Sequence, residues 1–524
     1  MRRRTFLRGV GALSAFVAVP TVAAGGGTAT GGGTPTQYAS PASVSLTGVI
    51  DAVVGDDGTT AYVAASDGFG VVDVSEVGNP TVLAERRNLL ADRENGPLTN
   101  IYDVKVSGDR LLVAGPNHSV GSNTLGGFLL YDVSDPAEPE RLAFFETDHG
   151  IHNAYLDGDT AYLTGTGAAG EPLVVVDVSD DEPREIARWS VTDENGDWFN
   201  VEDSIHQCHD VYVQNDTAYV AYWDAGTWLL DVRDPANPTV ELRVGGRDPG
   251  AIPRSDTDPF TEIRELPGNS HYVAPNEDGT LLAVGREAWD DEETDRTGGP
   301  GGITLWDVSD RSSPERLTRL APPRFEETEE VNRTSHNFGF RGDRLYTSWY
   351  NGGVRVFDVA TPAEPMLIGS WEEPSETSFW TAQPIDGGFV ATSIFDPTKY
   401  EELSREEKRE PNESAEVFTF PEPSGEDARP ARTGQVTETE GSAARSTEAT
   451  TSTTEATETT ETTEASMPRD EGTSTDSTDA GTDSTRTETT TGSSSAADTP
   501  GFGVAASVVG GGLALARLLQ KNRE

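Results

Sequence analysis

The sequence predicts an all-β fold, a seven-bladed β-propeller whose N-terminal strand closes the last blade. A disordered Thr/Glu-rich stalk and a C-terminal apolar anchor helix are expected to follow it. Three observations carry this reading. An apolar block ending in Asp-Val recurs, with its Asp at positions 73, 132, 177, 231, 307 and 358, spaced by 59, 45, 54, 76 and 51 residues. Each block lies in the same succession of short alternating segments and turn residues. The two ends of the array are incomplete in complementary ways.

The clearest block is Leu173-Val174-Val175-Val176-Asp177-Val178. Similar blocks are Gly70–Ser75, Leu129–Pro136, Trp228–Val232, Leu305–Ser309 and Arg355–Val359, with a degraded seventh at Glu416–Pro421. Repeats of this period with variable insertions signal blades or arrays. Before each block come two strands joined by a polar turn, as in Val211–Val213, Asn215-Asp216 and Ala218–Ala221. After it, a turn such as Asp135–Pro139 leads into a fourth strand such as Arg141–Phe145. Four short strands with turns between them make one blade. Continuous apolar runs fit strands buried on both faces. The Asp of each Asp-Val pair is expected to accept backbone hydrogen bonds at the strand end.

Seven copies over residues 43–420 average 54 residues each, within reach of a propeller once insertions are counted. The first copy is preceded by Ser43–Thr47, which looks like a fourth strand, and the last copy lacks one. The leading strand therefore completes blade seven and leaves the ring without open sheet edges.

Both termini read as addresses. Arg3-Arg4-Thr5-Phe6-Leu7-Arg8 and the apolar run Val10–Ala24 resemble a twin-arginine export signal over residues 1–27, with cleavage expected near Ala23–Gly27. Residues 500–524 hold Pro500-Gly501-Phe502, an apolar stretch to Leu519, then Lys521 and Arg523. That order resembles the PGF sorting signal of archaeal surface proteins, which implies an anchor or its replacement by lipid. The stretch is about long enough to cross a bilayer. Residues 421–499, mostly Thr, Glu, Ser, Ala and Asp, cannot bury enough apolar surface to order themselves and read as a stalk. The expected location is the cell surface, reached through export and sorting machinery, with membrane attachment at the C-terminus.

Composition narrows the function classes. Acidic side chains number 89 against 39 basic, for a formal net charge of -50, and this opposes nucleic-acid binding. Lys105, Lys399, Lys408 and Lys521 are the only lysines, so Arg carries the positive charge. An acidic, Lys-poor chain fits a halophilic protein, whose self-repulsion molar salt screens. One cysteine excludes a disulfide scaffold and Cys-only metal sites. No phosphate-binding Gly-Lys-Ser loop or Gly-x-Ser-x-Gly elbow is present.

The Leu-Val-Val-Val-Asp-Val block resembles the LVIVD repeat, and the likeness extends over most of residues 49–420. The resemblance implies propeller architecture. It implies little about activity, which has to be argued from the site.

The chemical signal is histidine placement. His152, His209 and His336 each stand six residues before the first-turn Gly158, Asn215 and Gly342, and His271 stands seven before Asp278. Blades three to six thus begin their inner strand with His. Tyr102 and Trp380 hold that place in blades two and seven, with Ile50 the nearest match in blade one. Equivalent positions around a ring converge on the channel mouth. With His206 and Cys208 beside His209, they form a candidate ligand or metal set for copper or zinc. Asn153, Asp210 and Asn337 follow three of these His and are candidates to orient the rings. The competing reading makes the His a repeat feature that bridges blades through ring hydrogen bonds, with Cys208 a small core residue.

Asn117, Asn215, Asn332 and Asn412 head N-x-Ser/Thr sequons and are candidate glycosylation sites. Asp193–Asp197 resembles a calcium loop only loosely, with Gly196 misplaced. Two functional classes follow. One is a surface module that binds a surface-layer or extracellular ligand. The other is a metal-dependent surface enzyme, an oxidoreductase, centred on the His ring.

Overall fold

The computed structural model describes residues 41–433 apart from 253–258, 265, 267, 290–298, 325–331, 397–398, 400–402, 405–406, 408–409 and 427, together with residues 444–445. The expected signal peptide, the 500–524 segment, most of the stalk and the acidic run Asp290–Glu293 lie outside the described residues. No helix among the described residues is long and apolar enough to cross a membrane.

The strands form seven antiparallel sheets arranged as blades. Blade 1 is Val49–Val54, Thr60–Ala65, Gly68–Asp73 and Thr81–Arg87, and blade 2 is Asp103–Ser107, Arg110–Gly115, Gly127–Asp132 and Glu140–Glu146. Blade 3 is Gly150–Asp157, Thr160–Thr166, Leu173–Asp177 and Arg184–Trp189, and blade 4 is Asp210–Gln214, Thr217–Tyr222, Gly226–Asp231 and Thr239–Val244. Blade 5 is Tyr272–Pro275, Leu281–Gly285, Ile303–Asp307 and Glu315–Leu320, and blade 6 is Phe338–Arg341, Arg344–Ser348, Val354–Asp358 and Met366–Trp371. Blade 7 takes Phe379–Ile385, Gly388–Ser393 and Glu416–Pro421 from the end of the array and Ala42–Ser45 from its start. The closing register pairs Ala42 with Thr419 and Ser45 with Glu416. The seven blades and the closing strand are as the repeat phase predicts.

The local chemistry explains the regularity. In blade 4 the first turn is Asn215-Asp216, with φ of 51° and 62°. Two successive residues in the left-handed region match a hairpin turn of the right twist, and Asn and Asp tolerate it. Each Asp-Val block ends as expected. The side chains of Asp73, Asp132, Asp177, Asp231, Asp307 and Asp358 accept the backbone N–H two residues on, at 2.9–3.0 Å. These Asp are turn formers.

The core is divided into interblade layers. Within the run Leu173–Val176, Val174 and Val176 pack toward blade 2 beside Leu112 and Leu130, while Leu173 and Val175 pack toward blade 4 beside Val211 and Val220. Strand alternation thus feeds both neighbours of each blade. The seam between blades 7 and 1 is built the same way, with Val63 and Val72 against Val390 and Val417.

A few described residues after Phe420 pair with the outer strands. Arg429–Pro430 pairs with Met366 and Leu367 on the outer strand of blade 6, Thr433 bridges Leu320 of blade 5, and Ala444–Arg445 pairs with Leu242 and Arg243 of blade 4. Glu422 is tied to blade 6 by Arg344 and by the Tyr346 hydroxyl. Low apolar content suggested chain without structure, but outer strands offer unpaired backbone groups that a polar segment can satisfy.

Candidate functional site in the central channel

The inner strands face the channel, and their first residues line its mouth. The ladder of blade 3 shifts register between Ile151 and Ala154, and that of blade 7 between Phe379 and Thr381. Bulges of this kind re-aim side chains, and here they carry His152 and Trp380. His209, His271 and His336 sit just ahead of their strands, each donating its N–H to the second strand, at Ala221, Gly285 and Ser348.

The rings form a continuous arc. Centroids are 4.1 Å apart for His152–His209, 4.2 Å for His209–His271, 4.6 Å for His271–His336 and 3.9 Å for His336–Trp380. Tyr102 follows at 5.9 Å from Trp380, and Ile50 packs in the same apolar group. The convergence read from spacing is present, and so are the ring bonds between blades. His209 Nδ1 meets the carbonyl of His271 at 3.0 Å, and His336 Nδ1 that of Trp380 at 2.8 Å. His152 Nδ1 meets Asn117 O at 3.0 Å. Burial removes solvent from all four rings and favours the neutral form. It lowers His152 to about 4 and His271 and His336 to about 3, and takes His209 well below its ordinary value.

The residues after the His act differently from the expectation. Asn153 donates to the carbonyl of His209 at 2.8 Å, Asp210 accepts from Val273 N at 3.0 Å, and the Asn337 N–H donates to Trp380 O at 3.0 Å. Asn153 and Asp210 bond the neighbouring blade's backbone through their side chains and Asn337 through its own N–H, and none of these bonds is to an imidazole nitrogen. Cys208 also departs from the ligand set. It is fully buried in the layer with Val211 and Tyr222, and burial pushes its thiol far up. His206 packs on Trp198 with ring centroids 5.2 Å apart, outside the arc.

A carboxylate that sequence reasoning missed completes the mouth. Two residues past the strand position that holds His209, His271 or His336 stand Trp223, Glu287 and Tyr350. These are equivalent places in blades 4, 5 and 6. Trp223 and Tyr350 adopt φ of 33° and 46° and lay their rings against the His arc. In blade 5 the same place holds Glu287. Its carboxylate lies 3.2 Å from His271 Nε2 and 3.8 Å from His336 Nε2, and it accepts a hydrogen bond from the Tyr350 hydroxyl. The repeat ruler applied to second strands, rather than to inner strands alone, points to it.

One layer deeper is a charged cluster, also unanticipated. Lys105 reaches Asp103 and lies 3.7 Å from Asp51. Burial pushes Asp103 up to about 6 and Asp210 up to about 7, against the pull of Lys105. Burial alone would lower Lys105, but Asp103 and Asp51 outweigh it and raise the ammonium. The cluster borders a cavity of about 330 Å³, lined by Asp51, Lys105 and Asp210 together with Tyr155, Tyr212, Gln214, Glu277, Arg341 and Gln383.

Sequon placement is uneven. Asn215 is exposed, Asn332 and Asn412 are half-buried, and Asn117 is 3% exposed, so the folded chain offers no access to Asn117 for a glycan. The Asp193–Asp197 stretch is no calcium loop. Ser190 and Asp193 form a capping box on the helix Val191–Glu194, and Asn195 caps the next turn.

Comparison with known proteins bears on the repeat. Residues 57–87 and 207–245 match the LVIVD repeat. The first match spans the outer three strands of blade 1 and the second spans blade 4. No curated protein matches the chain significantly. Among solved structures, the β-propeller domain of Cps50 (Swd1) from Myceliophteria thermophila is similar at 12% identity, covering 72% of this chain and 99% of that one, with a TM-score of 0.46. A protein from Lactobacillus plantarum is similar at 12% identity over 66% and 88%, with a TM-score of 0.44. The designed Ika8 protein is similar at 10% identity over 73% and 100%, with a TM-score of 0.41. The assignment of seven blades rests on the strand pairing of this chain.

Proposed function

We propose that this LVIVD-repeat propeller is exported, tethered at the surface of a halophilic cell, and binds a glycan of the surface coat through its channel. The observation that carries the binding reading is the 330 Å³ cavity. Tyrosine rings beside carboxamides, carboxylates, an ammonium and a guanidinium suit a polyhydroxylated ligand, which needs both a stacking surface and convergent hydrogen bonds. The export motif, the Thr/Glu-rich stalk and the PGF segment support the surface location. The acidic, Lys-poor composition supports the salt-adapted setting, and exposed Asn215 is the best placed glycan acceptor.

The test is binding of the purified full chain to glycans released from the cell envelope. Tyr212→Phe and Gln383→Ala are expected to weaken it at least tenfold in the folded protein. Unchanged binding in both folded variants would exclude the channel. A cell expressing Arg3→Lys/Arg4→Lys is expected to retain the protein inside, read by fractionation.

A second reading, a metal-dependent surface oxidoreductase, is favoured by one observation: the donor atoms of His271, Glu287 and His336 lie within 4.8 Å of one another. Turnover of a redox dye by the metal-loaded chain, lost in Glu287→Gln, would select it.

A further inference from the structure

We propose that His271, Glu287 and His336 form a binding site for one divalent first-row transition metal ion, with Nε2 of each His and the Glu287 carboxylate as donors. This goes beyond the channel-binding reading and holds whether or not the chain is an enzyme.

The geometry is close to that of a bound site. Zinc takes His nitrogen and Glu oxygen at about 2.1 Å, so two donors on a tetrahedral ion stand about 3.4 Å apart. Here His271 Nε2 lies 3.2 Å from one Glu287 oxygen and His336 Nε2 3.8 Å from the other, with the three donor atoms within 4.8 Å of one another, so a small closure of the three side chains would reach bound-site spacing. All three residues are buried, on a fixed scaffold of two neighbouring blades.

The surroundings fit a ligand role. His336 holds its Nδ1 on the carbonyl of Trp380 at 2.8 Å. A proton on Nδ1 in that bond leaves a lone pair on Nε2, and this is how metal-bound imidazoles are commonly oriented. That Nε2 is buried and makes no hydrogen bond. Buried polar atoms without partners are uncommon in folded proteins and call for an explanation; a metal ion supplies one. Tyr350 holds the carboxylate from the other side.

The donor set further selects the ion. Two imidazoles and a carboxylate suit zinc, iron(II), nickel or copper(II), whereas a soft thiolate site would need Cys208, which faces the core. Three protein donors leave a fourth position for solvent or ligand. The site is confined to blades 5 and 6. His152, at the far end of the arc, is not a donor.

The experiment uses Zn(II) alone as probe, on the full chain stripped with chelator and dialysed. Calorimetry and elemental analysis are expected to find one zinc per chain. Glu287→Gln, nearly isosteric, and His336→Gln should each weaken binding at least 100-fold, while His152→Gln leaves it within threefold. Co(II) in the same site should show visible d–d bands without a near-ultraviolet thiolate transition. Absence of zinc from the folded wild-type chain would overturn the proposal. So would unchanged affinity in folded Glu287→Gln, equal loss in His152→Gln, or a cobalt–thiolate band. These readouts are separate from glycan binding, so either result can fail alone.

Discussion

His209 Nδ1 meets the main-chain carbonyl of His271 at 3.0 Å, so one imidazole of the arc is anchored by the residue holding the same place in the next blade. The bond lies at 3% exposure for the His209 residue. It joins the Asp210–Val273 bond in coupling the sheets of blades 4 and 5, which also meet through an apolar layer.

That bond separates into ring packing and polar contact. His209→Phe keeps a ring but leaves a buried carbonyl without this donor, and should cost about 1–3 kcal/mol. His209→Ala adds a cavity and should cost about 3–5 kcal/mol. Denaturant unfolding of both variants checks the order. A loss below about 0.5 kcal/mol in each would show that the arc contributes nothing to blade cohesion.

Acid should unfold the protein partly through His152. Its folded value of about 4 lies below the ordinary 6.5, because burial disfavours the charged ring. The unfolded chain therefore takes up this proton first as pH falls. The stabilisation is complete above pH 6.5 and is lost on the way down to about 4, on the order of 3 kcal/mol in all. In His152→Gln the plot of stability against pH should flatten in that window by up to about 1.4 kcal/mol per pH unit. An identical slope in the two proteins would show that His152 is not buried and neutral.

Much of this was readable from sequence, for identifiable reasons. A backbone repeat leaves its mark at every copy, so the Asp-Val turns, the blade number and the closing strand at Ala42–Ser45 follow from spacing and phase. The His arc follows from the same ruler because the spacing from each of these His to its first turn stays at six or seven residues. Glu287 did not stand out, since its equivalents are Trp223 and Tyr350 and no residue type repeats there. Lys105 was hidden likewise, its partners coming one from each of blades 1, 2 and 4. The roles of Asn153 and Asp210 were misjudged because sequence neighbours in a strand point to different sides.

Lys105→Met removes the cation from a group of three buried carboxylates. At pH 8 it should destabilise by about 3–5 kcal/mol, the usual result of orphaning buried charge. Asp103 and Asp210 titrate at about 6 and about 7 in the fold, above the ordinary carboxylate value, so the folded state binds more protons than the unfolded one in that range. Lowering the pH to 5 neutralises them and should restore much of the loss. Melts at the two pH values measure this, and an equal loss at both would refute charge coupling.

A chain beginning at Gly48 lacks the strand that pairs with Glu416–Pro421. Its melting temperature should fall, and it should self-associate through the opened edge. Light scattering after size exclusion reads the outcome. A monomer of full stability would show that closure is dispensable.

Cys208 is fully buried with a thiol far from ionising. Iodoacetamide should leave it unmodified in the native protein and alkylate it fully in denaturant. Rapid native labelling, read by mass spectrometry, would contradict its place between blades 3 and 4.

The segment around Arg429–Pro430 and Thr433 runs against the outermost strands of blades 6 and 5. A tether starting there would grip the wheel by its tyre rather than its hub. Held by its rim, the body would keep the tyrosine-lined hollow at its centre clear of the point of attachment.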